Sequence, residues 1–480
     1  MLKIFNTLSG KIEIFHARRS QRISIFVCGI TPYDFSHVGH ARTYVAFDMI
    51  VKYLRHAGYE VTYLQNVTDV DDKIIARAQE HKENPKDLAR RLEKEYMVDM
   101  EALGVDAVNI YARATDHVPE IISQVDRMLK KRFAYEIEGD GIYFDISKFE
   151  DYGKLSRRTT EQTQDAVSRI DESVNKRNKG DFALWKYSKE GEPSWSFDSS
   201  LRSSLRTGRP KAGRPGWHIE DTAITEKFFG PQYDIHGGAQ DLIFPHHEAE
   251  ITQMESISGK EPFVRYWMHT GFLTVKGEKM SKSLGNFITI RDFLSRHSAR
   301  LLRFFILKTH YRSPIDYSEE LLQQAQNELE RIDEFVDRLR ETRTIKHETQ
   351  KKKADFKFDA SRFKKAMEDD FNTPRALAAI FEMITKGNTL LDQGNLSKDQ
   401  TKQILEFLKD IDIFFGFIFR GRPKKGKTPE IVLELVKQRE MCRQEKQWQN
   451  ADELREQIKE AGWLVEDTEH GPEIKKQKKH

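Results

Sequence analysis

The sequence predicts an α/β protein built on a parallel sheet, followed by a helical C-terminal part. A strand, Ile23-Ser-Ile-Phe-Val27, precedes a helix over 41–56 and a second strand, Val61-Thr-Tyr-Leu64. Strand, helix and strand in this order form the unit of parallel sheets with right-handed crossovers. A second strand-loop-helix passage, Tyr233 to Ser256, comes much later, and beyond about 300 the apolar residues follow helical spacing. We therefore expect one α/β domain that is split by an insertion.

The remaining elements follow from the same patterns. A Gly139-Asp-Gly141 turn predicts a hairpin inside the insertion, and the Ser- and Arg-rich stretch 199–212 predicts a surface loop. The Gly-, Pro- and Lys-rich stretch 420–430 predicts a linker to a small last unit. Helices are predicted over 86–103, 118–131, 318–340, 360–392 and 398–419.

Composition limits the class of protein. Of the 480 residues 38% are hydrophobic and 32% charged, which is typical of globular proteins, and the formal net charge is only +3. Crossing a membrane would need a run of about 18 apolar residues, and the best candidate, Ile413 to Phe419, is much shorter. The start of the chain lacks a secretory pattern. Two cysteines, Cys28 and Cys442, exclude a disulfide framework, so we expect a cytoplasmic protein without membrane contact.

The turn between the first strand and its helix has features of a phosphate site. Backbone N–H groups and the positive end of the dipole at a helix start attract anions. Gly39 allows a ligand to approach the backbone, and His37 and His40, three residues apart, can donate to the same phosphates. By itself such a string is equally typical of a surface turn.

A second motif supplies the context. Lys279-Met-Ser-Lys-Ser283 places two lysines around small polar residues, which suits charge that develops on a polyphosphate during displacement at phosphorus. The two strings, in this order across a split α/β domain, resemble the two signatures of class I aminoacyl-tRNA synthetases, with Val38 in place of the usual Ile. The resemblance implies a split Rossmann catalytic domain that binds ATP with Mg2+. The implied catalytic residues are His37, His40, Lys279 and Lys282, and the implied ATP-binding residues are His37, Gly39, His40, Asp241 and Lys282.

A candidate metal site involves Cys28 and the string Phe244-Pro-His-His-Glu-Ala-Glu250. His246 and Glu250 are four residues apart on a predicted helix, so both side chains project from one face. Together with the thiolate of Cys28 they would suit zinc. A lone cysteine at the end of a strand is otherwise best explained as a small buried apolar residue.

These features resemble the cysteinyl-tRNA synthetase family, and the resemblance extends in order over nearly the whole chain. It is carried by Met1-Leu-Lys-Ile-Phe-Asn-Thr-Leu8, Asn66-Val-Thr-Asp-Val-Asp-Asp-Lys73, Gly213-Arg-Pro-Gly-Trp-His-Ile-Glu220, Asp234-Ile-His-Gly-Gly238 and Asp370-Phe-Asn-Thr-Pro374. The resemblance implies activation of L-cysteine by ATP and transfer of the cysteinyl group to tRNA-Cys. It also implies a zinc ion that binds the substrate thiolate, because a soft metal separates cysteine from serine.

The implied zinc ligands are Cys28, Asp221, His246 and Glu250. The family's commoner pattern has a second cysteine where this chain has Asp221. A carboxylate oxygen is a harder donor than a thiolate, in the sense of hard and soft ligands. The implied substrate-binding residues are Cys28, Thr68, Trp217 and His236, although Trp217 alone would equally suit core packing.

The last unit is expected to bind RNA. Arg443, Trp448, Asp452 and Asp467 match the positions that the family uses to read the anticodon, with Arg443, Trp448 and Asp452 on a pattern that predicts a helix. Trp can stack on an unpaired base, while Arg and Asp can bond base edges. Basic stretches at 420–427 and 475–479 favour the same interpretation. The partners are thus tRNA-Cys, ATP and L-cysteine, and we expect a monomer.

The resemblance divides the chain into five segments. They are the first half of the catalytic domain (1–118), an inserted connective domain (119–205), the second half with the lysine loop (206–300), a helical stem and anticodon-binding bundle (301–420) and an anticodon-reading unit (428–480). Two other functions remain open: a ligase that joins cysteine to an amino sugar, and an RNA-binding paralogue without catalysis. The anticodon positions argue against the first, and the two signature motifs argue against the second.

Overall fold

The computed structural model describes residues 1–158, 175–197, 212–280, 286–344, 360–422, 429–468 and 471–476. The chain forms two compact units, Met1–Arg422 and Pro423–His480. Lys282, most of the predicted 199–212 loop and most of the basic stretches at 420–427 and 475–479 lie outside the described residues. Where helices are described, none has the combination of length and apolar character that crossing a membrane requires.

A parallel sheet forms the centre of the first unit, as predicted. Its strand order is β11-β10-β3-β4-β5, and every neighbouring pair runs parallel. Because β4 and β5 lie on one side of β3 while β10 and β11 lie on the other, the order reverses between β3 and β10. Such a reversal opens a crevice at the carboxyl ends of the strands. The strands are β3 (Arg22–Ile30), β4 (Glu60–Val67), β5 (Ile110–Arg113), β10 (Tyr233–Ala239) and β11 (Val264–Thr270).

The first crossover helix, α1 (Val38–His56), follows β3 and is buried along most of its length. Two charged residues on it are buried, Arg42 and Asp48. The carboxylate of Asp48 accepts hydrogen bonds from the backbone N–H groups of Asp106 and Ala107 and pairs with Arg303 on a later helix. Arg303 also donates to the carbonyl groups of Phe414 and Phe415. This buried pair therefore fastens α1 to the helical part of the unit.

The helices predicted over 41–56, 86–103, 118–131 and 318–340 form close to the predicted bounds, whereas those over 72–81, 219–229, 290–294 and 299–307 were not predicted. The stretch 360–392, which was predicted as continuous, instead breaks at Asp370 and Phe371, which have positive φ angles of 58° and 51°. The break has a cause, since the Asp370 carboxylate accepts hydrogen bonds from Phe5 N–H at 2.8 Å and from Tyr311 O–H at 2.7 Å. The helices are α2 (Asp72–His81), α3 (Pro85–Leu103), α4 (Val118–Lys130), α5 (Ile219–Phe229), α6 (Glu248–Ser258), α7 (Ile290–Leu294), α8 (Ala299–Leu307), α9 (Glu319–Thr344), α10 (Ala360–Met367), α11 (Thr373–Asp392) and α12 (Lys398–Phe415).

Smaller sheets surround this core. An antiparallel sheet, in the order β6-β7-β8-β9, contains the predicted hairpin around Gly139-Asp-Gly141. A terminal hairpin of β1 and β2 was not predicted. Three further strands, β12 to β14, frame the start of the second signature motif. The bounds are β1 (Lys3–Asn6), β2 (Lys11–Ile14), β6 (Ala134–Ile137), β7 (Gly141–Phe144), β8 (Phe182–Tyr187), β9 (Gly213–Pro215), β12 (Leu273–Val275), β13 (Glu278–Lys279) and β14 (Ile315–Tyr317).

The second unit consists of two helices and a hairpin around a small apolar core. The helices are α13 (Glu430–Gln444) and α14 (Trp448–Glu460), and the hairpin is formed by β15 (Trp463–Thr468) and β16 (Gly471–Lys476). The single helical pattern predicted across 443–452 is thus divided between two helices, and the hairpin was not predicted. The core side chains are Val432, Val436, Ile458 and Val465.

Candidate active site

A cavity of about 330 Å3 opens at the carboxyl ends of the parallel strands, where the strand order reverses. Residues from both halves of the split domain line it, among them Cys28, His37, His40, Thr68, Trp217, Asp221, Asp241, His246 and Met280. Most of the residues singled out from the sequence of the first unit therefore share one cavity. His236 and Glu250 lie behind this lining and are completely buried.

The phosphate turn is built at the start of α1. His37 caps the helix: its Nδ1 accepts a hydrogen bond from Gly39 N–H at 3.1 Å, and His40 Nδ1 accepts one from His37 N–H at 3.3 Å. The two rings stack with centroids 3.8 Å apart. Burial, and secondarily the neighbouring His37, hold the pKa of His40 well below its usual range, so His40 is neutral. A neutral imidazole can donate one ring N–H to a phosphate oxygen.

The segment that follows the second signature motif contacts this turn. Backbone hydrogen bonds from Val38 N–H to Ile288 O at 3.1 Å and from Ile290 N–H to Ser36 O at 2.9 Å join the two segments. A Cβ atom at Gly39 would lie 2.8 Å from the His37 ring and 3.1 Å from the Met280 methyl group, so the capping position of His37 favours a glycine there. The backbone of Lys279 ends β13, whereas Lys282 lies outside the described residues.

A cluster of metal-ligating side chains forms the floor of the cavity. Asp221 Oδ2 lies 3.4 Å from Cys28 Sγ and 3.0 Å from His246 Nε2, and His246 Nε2 lies 3.3 Å from Glu250 Oε1. His246 belongs to a wide turn, Ile243–His247, that precedes α6, rather than to the α-helix that the spacing predicted. The four donors predicted from the resemblance are thus adjacent, within 4.8 Å of one another.

A second set of donors overlaps the first. It consists of Cys28, His236, His247 and Glu250, in which Cys28 Sγ lies 3.0 Å from His247 Nε2 and 3.4 Å from His236 Nε2. His236 and His247 each use their other ring nitrogen, toward Tyr233 O–H at 2.6 Å and His269 Nε2 at 2.8 Å. Cys28 and Glu250 therefore belong to two possible sites, which the remaining ligands distinguish.

The chemistry of the cluster fits a cation. Asp221 Oδ1 and both carboxylate oxygens of Glu250 are buried without a hydrogen-bond partner within the described structure. Burial, and then the negative charge of Asp221, raise the pKa of Glu250, and the same causes raise the pKa of the Cys28 thiol. Buried acidic groups that repel one another are costly unless a positive charge compensates them. A divalent metal would supply that charge.

The other predicted substrate residues surround this cluster. Trp217 stacks on His246 with ring centroids 4.5 Å apart, so it is both a packing residue and part of the cavity wall. Thr68 Oγ1 donates to Glu220, which is buried, and it accepts from Asn66 Nδ2 at 3.2 Å. Asp241 lines the cavity near the end of β10. His236 packs between Phe26 and Trp267 under the cavity floor.

The predicted RNA-binding residues lie in the second unit. Trp448 begins α14 and is 59% exposed, and Asp452 follows one turn later on the same face. Arg443, in the last turn of α13, forms an ion pair with Asp467 on β15. The structure therefore brings Arg443 and Asp467 into contact and leaves the ring of Trp448 accessible.

Several site residues were not predicted. His247, His269 and His218 extend the buried imidazole network, since His218 Nδ1 lies 2.8 Å from His246 Nδ1. His247 could have been found from the doubled histidine at 246–247. His218 and His269 are far from this pair in the sequence, so no local pattern indicated them.

Comparisons with known proteins agree with this geometry. Residues 14–327 match the profile described as "tRNA synthetases class I (C) catalytic domain", residues 362–420 match the DALR domain, and residues 425–474 match the "Cysteinyl-tRNA ligase anticodon binding domain". The cysteine–tRNA ligase of Carboxydothermus hydrogenoformans is 43% identical over 477 residues, covering 98% of this chain and 99% of its own length. That of Pyrococcus furiosus is 45% identical over 479 residues, covering 97% and 98%.

Solved structures show the same fold at low sequence identity. A Mycobacterium tuberculosis methionyl-tRNA synthetase in complex with methionyl-adenylate superposes with a TM-score of 0.57 at 18% identity, over 83% of this chain and 88% of its own. A LeuRS from Agrobacterium radiobacter superposes with a TM-score of 0.59 at 12% identity, over 84% and 85%. The split parallel sheet, the phosphate turn at its switch point and the nearly full-length identity to these relatives lead to one conclusion: the chain belongs to the cysteine–tRNA ligase family of class I aminoacyl-tRNA synthetases.

Proposed function

We propose that the chain activates L-cysteine with ATP, forming cysteinyl-adenylate and pyrophosphate, and then transfers the cysteinyl group to the 3′ end of tRNA-Cys. The observation that supports this most is the shared cavity, in which the phosphate turn at His37–His40 faces the cluster of Cys28, Asp221 and His246. An amino acid whose side chain binds the cluster would have its carboxylate near the α-phosphorus of an ATP that binds the turn.

The chain's own residues account for the activation step mainly by positioning and by charge. The start of α1, with Gly39 and the neutral His40, would bind the phosphates through N–H donors, and Lys279 and Lys282 would meet the charge that grows as pyrophosphate leaves. Asp241, on the cavity wall, would accept hydrogen bonds from the ribose hydroxyl groups. Mg2+ would accompany ATP as its usual counter-ion.

Cys28, Asp221, His246 and Glu250 would hold a zinc ion. The buried oxygens of Asp221 (Oδ1) and Glu250 that accept no hydrogen bond support this, as does the mixture of thiolate, imidazole and carboxylate donors. When bound, zinc supplies a soft Lewis acid that prefers a thiolate to a hydroxyl group, and hence cysteine to serine. Thr68, Trp217 and the deeper His236 would shape the pocket around the amino acid.

The second unit would read the anticodon. Trp448 offers an exposed ring for stacking, Arg443 offers donors for base edges or phosphates, and Asp452 and Asp467 offer acceptors. This unit distinguishes the proposal from a ligase that joins cysteine to an amino sugar, which would have no use for it. The cytoplasmic location and the monomeric state stay predictions.

Pyrophosphate exchange with each of the twenty amino acids tests the activation step. We expect exchange with cysteine alone, and the absence of cysteine-dependent exchange would contradict the proposal and favour a paralogue without catalysis. Charging of tRNA-Cys, compared with ligation to glucosaminyl-inositol as acceptor, tests the second step. Ligation to the amino sugar without charging of tRNA would refute the proposed acceptor.

A further inference from the structure

One lysine at the mouth of the active-site cavity, Lys73, has no role in the proposed activation step. Lys73, in the first turn of α2, lines the cavity and is exposed, with its ammonium group 5.5 Å from the centre of the Tyr33 ring and 6.0 Å from that of Trp217. Within the described residues the ammonium group forms neither an ion pair nor a hydrogen bond. Two aromatic rings therefore hold a positive charge that is still available to a ligand.

The neighbouring charges leave this availability intact. Asp72, the adjacent residue, pairs with Lys186 at 2.9 Å and with Arg214. Asp71 caps α2 by accepting a hydrogen bond from the backbone N–H of Lys73 at 2.8 Å. Its carboxylate interacts with the Lys73 ammonium group electrostatically, without a hydrogen bond to it. The acidic groups near Lys73 are thus engaged elsewhere, and the ammonium group faces the cavity mouth.

The Tyr33 ring beside Lys73 is held in place by its own packing. Tyr33 packs against an apolar cluster of α2 and α3, formed by Ile74, Ala78, Leu88, Ala89 and Leu92. Two residues along the same loop, Phe35 is exposed and carries the guanidinium group of Arg291 at 4.9 Å from its ring centre. Arg291 is in turn fixed by Glu95 and Asp99. The loop before His37 therefore presents two aromatic rings, each with a cation beside it.

Alternation of aromatic faces and cations is how proteins bind single-stranded nucleic acid, because bases stack on the rings and phosphates meet the charges. The second step of the proposed reaction requires such a ligand, since the acceptor end of tRNA must pass the cavity mouth to reach the adenylate. In the proposed reaction ATP and cysteine bind deeper in the cavity, at the phosphate turn and at the metal-ligating cluster.

We propose that Tyr33 and Lys73 form a subsite for the unpaired 3′ end of tRNA, in which Lys73 contacts a phosphodiester group and Tyr33 offers a stacking face to a base. The subsite orders the terminal nucleotides for attack on the adenylate. This inference rests on the proposed transfer to tRNA and specifies where the acceptor end enters.

A binding cycle tests the contact directly. Wild type and Lys73→Met are titrated at fixed salt with a tRNA-Cys transcript and with the same transcript lacking its 3′ CCA. We expect Lys73→Met to weaken binding of the intact transcript by roughly threefold to tenfold, the loss of one phosphate contact. Removal of CCA should weaken wild type more than the variant. Equal losses for both transcripts in the variant would overturn the proposal.

Kinetics provide a second, independent readout. Lys73→Met should keep cysteine-dependent pyrophosphate exchange within about twofold of wild type, which also shows that the protein is folded, while single-turnover transfer to tRNA slows. Lys73→Arg should retain transfer, and Tyr33→Phe should retain it where Tyr33→Leu does not. Lys86→Met, which removes an exposed lysine from α3, is the matched control.

An equal fall in exchange and transfer would place Lys73 in the activation step and refute the subsite. Loss of exchange in wild type would instead refute the proposed function itself.

Discussion

Arg439 donates two parallel hydrogen bonds to Asp467, from Nη1 to Oδ1 at 2.8 Å and from Nη2 to Oδ2 at 2.9 Å. Arg439 is buried, whereas Arg443, which contacts the same carboxylate, is half-exposed. The two guanidinium groups lower the pKa of Asp467 to about 2, with Arg439 as the larger cause. Asp467 is therefore a fixed anion that holds Arg443 in place, and Arg439 belongs to the same group of residues that we propose to bind RNA.

We expect Arg439→Lys to raise the KM for tRNA-Cys about fivefold, since a lysine keeps the charge but loses the two-pronged contact. The partial exposure of Asp467 limits the effect to about 1 kcal/mol. Charging kinetics with varied tRNA concentration measure this change. Pyrophosphate exchange should not change, and a parallel loss of exchange would mean that Arg439 matters only for folding.

Trp448→Ala should lower charging efficiency while pyrophosphate exchange stays at the wild-type level. Losing one stack between a base and an aromatic ring costs roughly 1–3 kcal/mol, and the 59% exposure of Trp448 leaves its ring free for such a stack. Trp448→Phe is the control, because it keeps an aromatic face and should retain most charging. Equal damage to both reactions would indicate a structural tryptophan.

The contrast between the two ends of the chain shows what could be predicted from sequence. The run β3, α1 and β4 was predictable because its apolar residues follow strand and helix periods locally and because both faces of the sheet are covered. The Arg439–Asp467 pair was not, since its residues are 28 positions apart. Local periodicity carries no information on such pairing. The hairpin β15–β16 was missed for another reason, because its strands are rich in charged residues and lack a clear apolar alternation.

The same limit applies within the active site. The spacing of His246 and Glu250 predicted that these two side chains are neighbours, but Asp221 was added only through the family resemblance. No local pattern places Cys28 beside Asp221, 193 residues away. The alternative partners His236 and His247 were hidden for the same reason. The helix break at Asp370 was missed because its cause, a contact with Phe5, comes from the opposite end of the unit.

Lys282→Ala should slow adenylate formation far more than it weakens cysteine binding. Its ammonium group is expected to meet charge that develops only in the transition state, so that the loss falls on the rate constant. Removing one such group costs on the order of 3 kcal/mol. Pre-steady-state adenylate formation, with cysteine affinity measured separately, checks this. A collapse of cysteine affinity at an unchanged rate constant would refute the assigned role.

Asp48→Ala should strongly destabilise the first unit, because it leaves the buried guanidinium group of Arg303 without its anion. Breaking one partner of a buried pair costs about 3–5 kcal/mol. Asp106→Ala is the matched control, since Asp106 pairs with Lys52 at 2.6 Å but is mostly exposed, and its loss should cost less than about 1 kcal/mol. Urea unfolding followed by tryptophan fluorescence measures both. Similar midpoints for the two variants would contradict the proposed fastening role of Asp48.

Metal content distinguishes the two donor sets that share Cys28 and Glu250. If zinc binds Cys28, Asp221, His246 and Glu250, His246→Gln should lower the zinc content and His247→Gln should largely retain it, because His247 is then a neighbour and not a ligand. The opposite order would assign the metal to the set with His236 and His247. Elemental analysis of purified proteins at equal concentration decides between these outcomes.

Asp221 gives the sharpest test of the proposed zinc site. Wild type should carry about one zinc per chain, as expected of a site with four protein ligands that can expand to accept the substrate thiolate. Asp221→Ala should lower the zinc content and the selectivity for cysteine over serine together, because one metal serves both. Asp221→Cys should retain or tighten zinc through its softer thiolate.

Glu248→Gln is the matched control, since Glu248 is a buried carboxylate near the cluster that instead accepts a hydrogen bond from Ser156 N–H at 2.8 Å. If Asp221 only accepts a hydrogen bond from His246, then Asp221→Ala would keep its zinc and lose roughly 1 kcal/mol of stability. Zinc content that stays unchanged in Asp221→Ala would therefore remove Asp221 from the ligand set, and a wild type without zinc would remove the metal from the proposal.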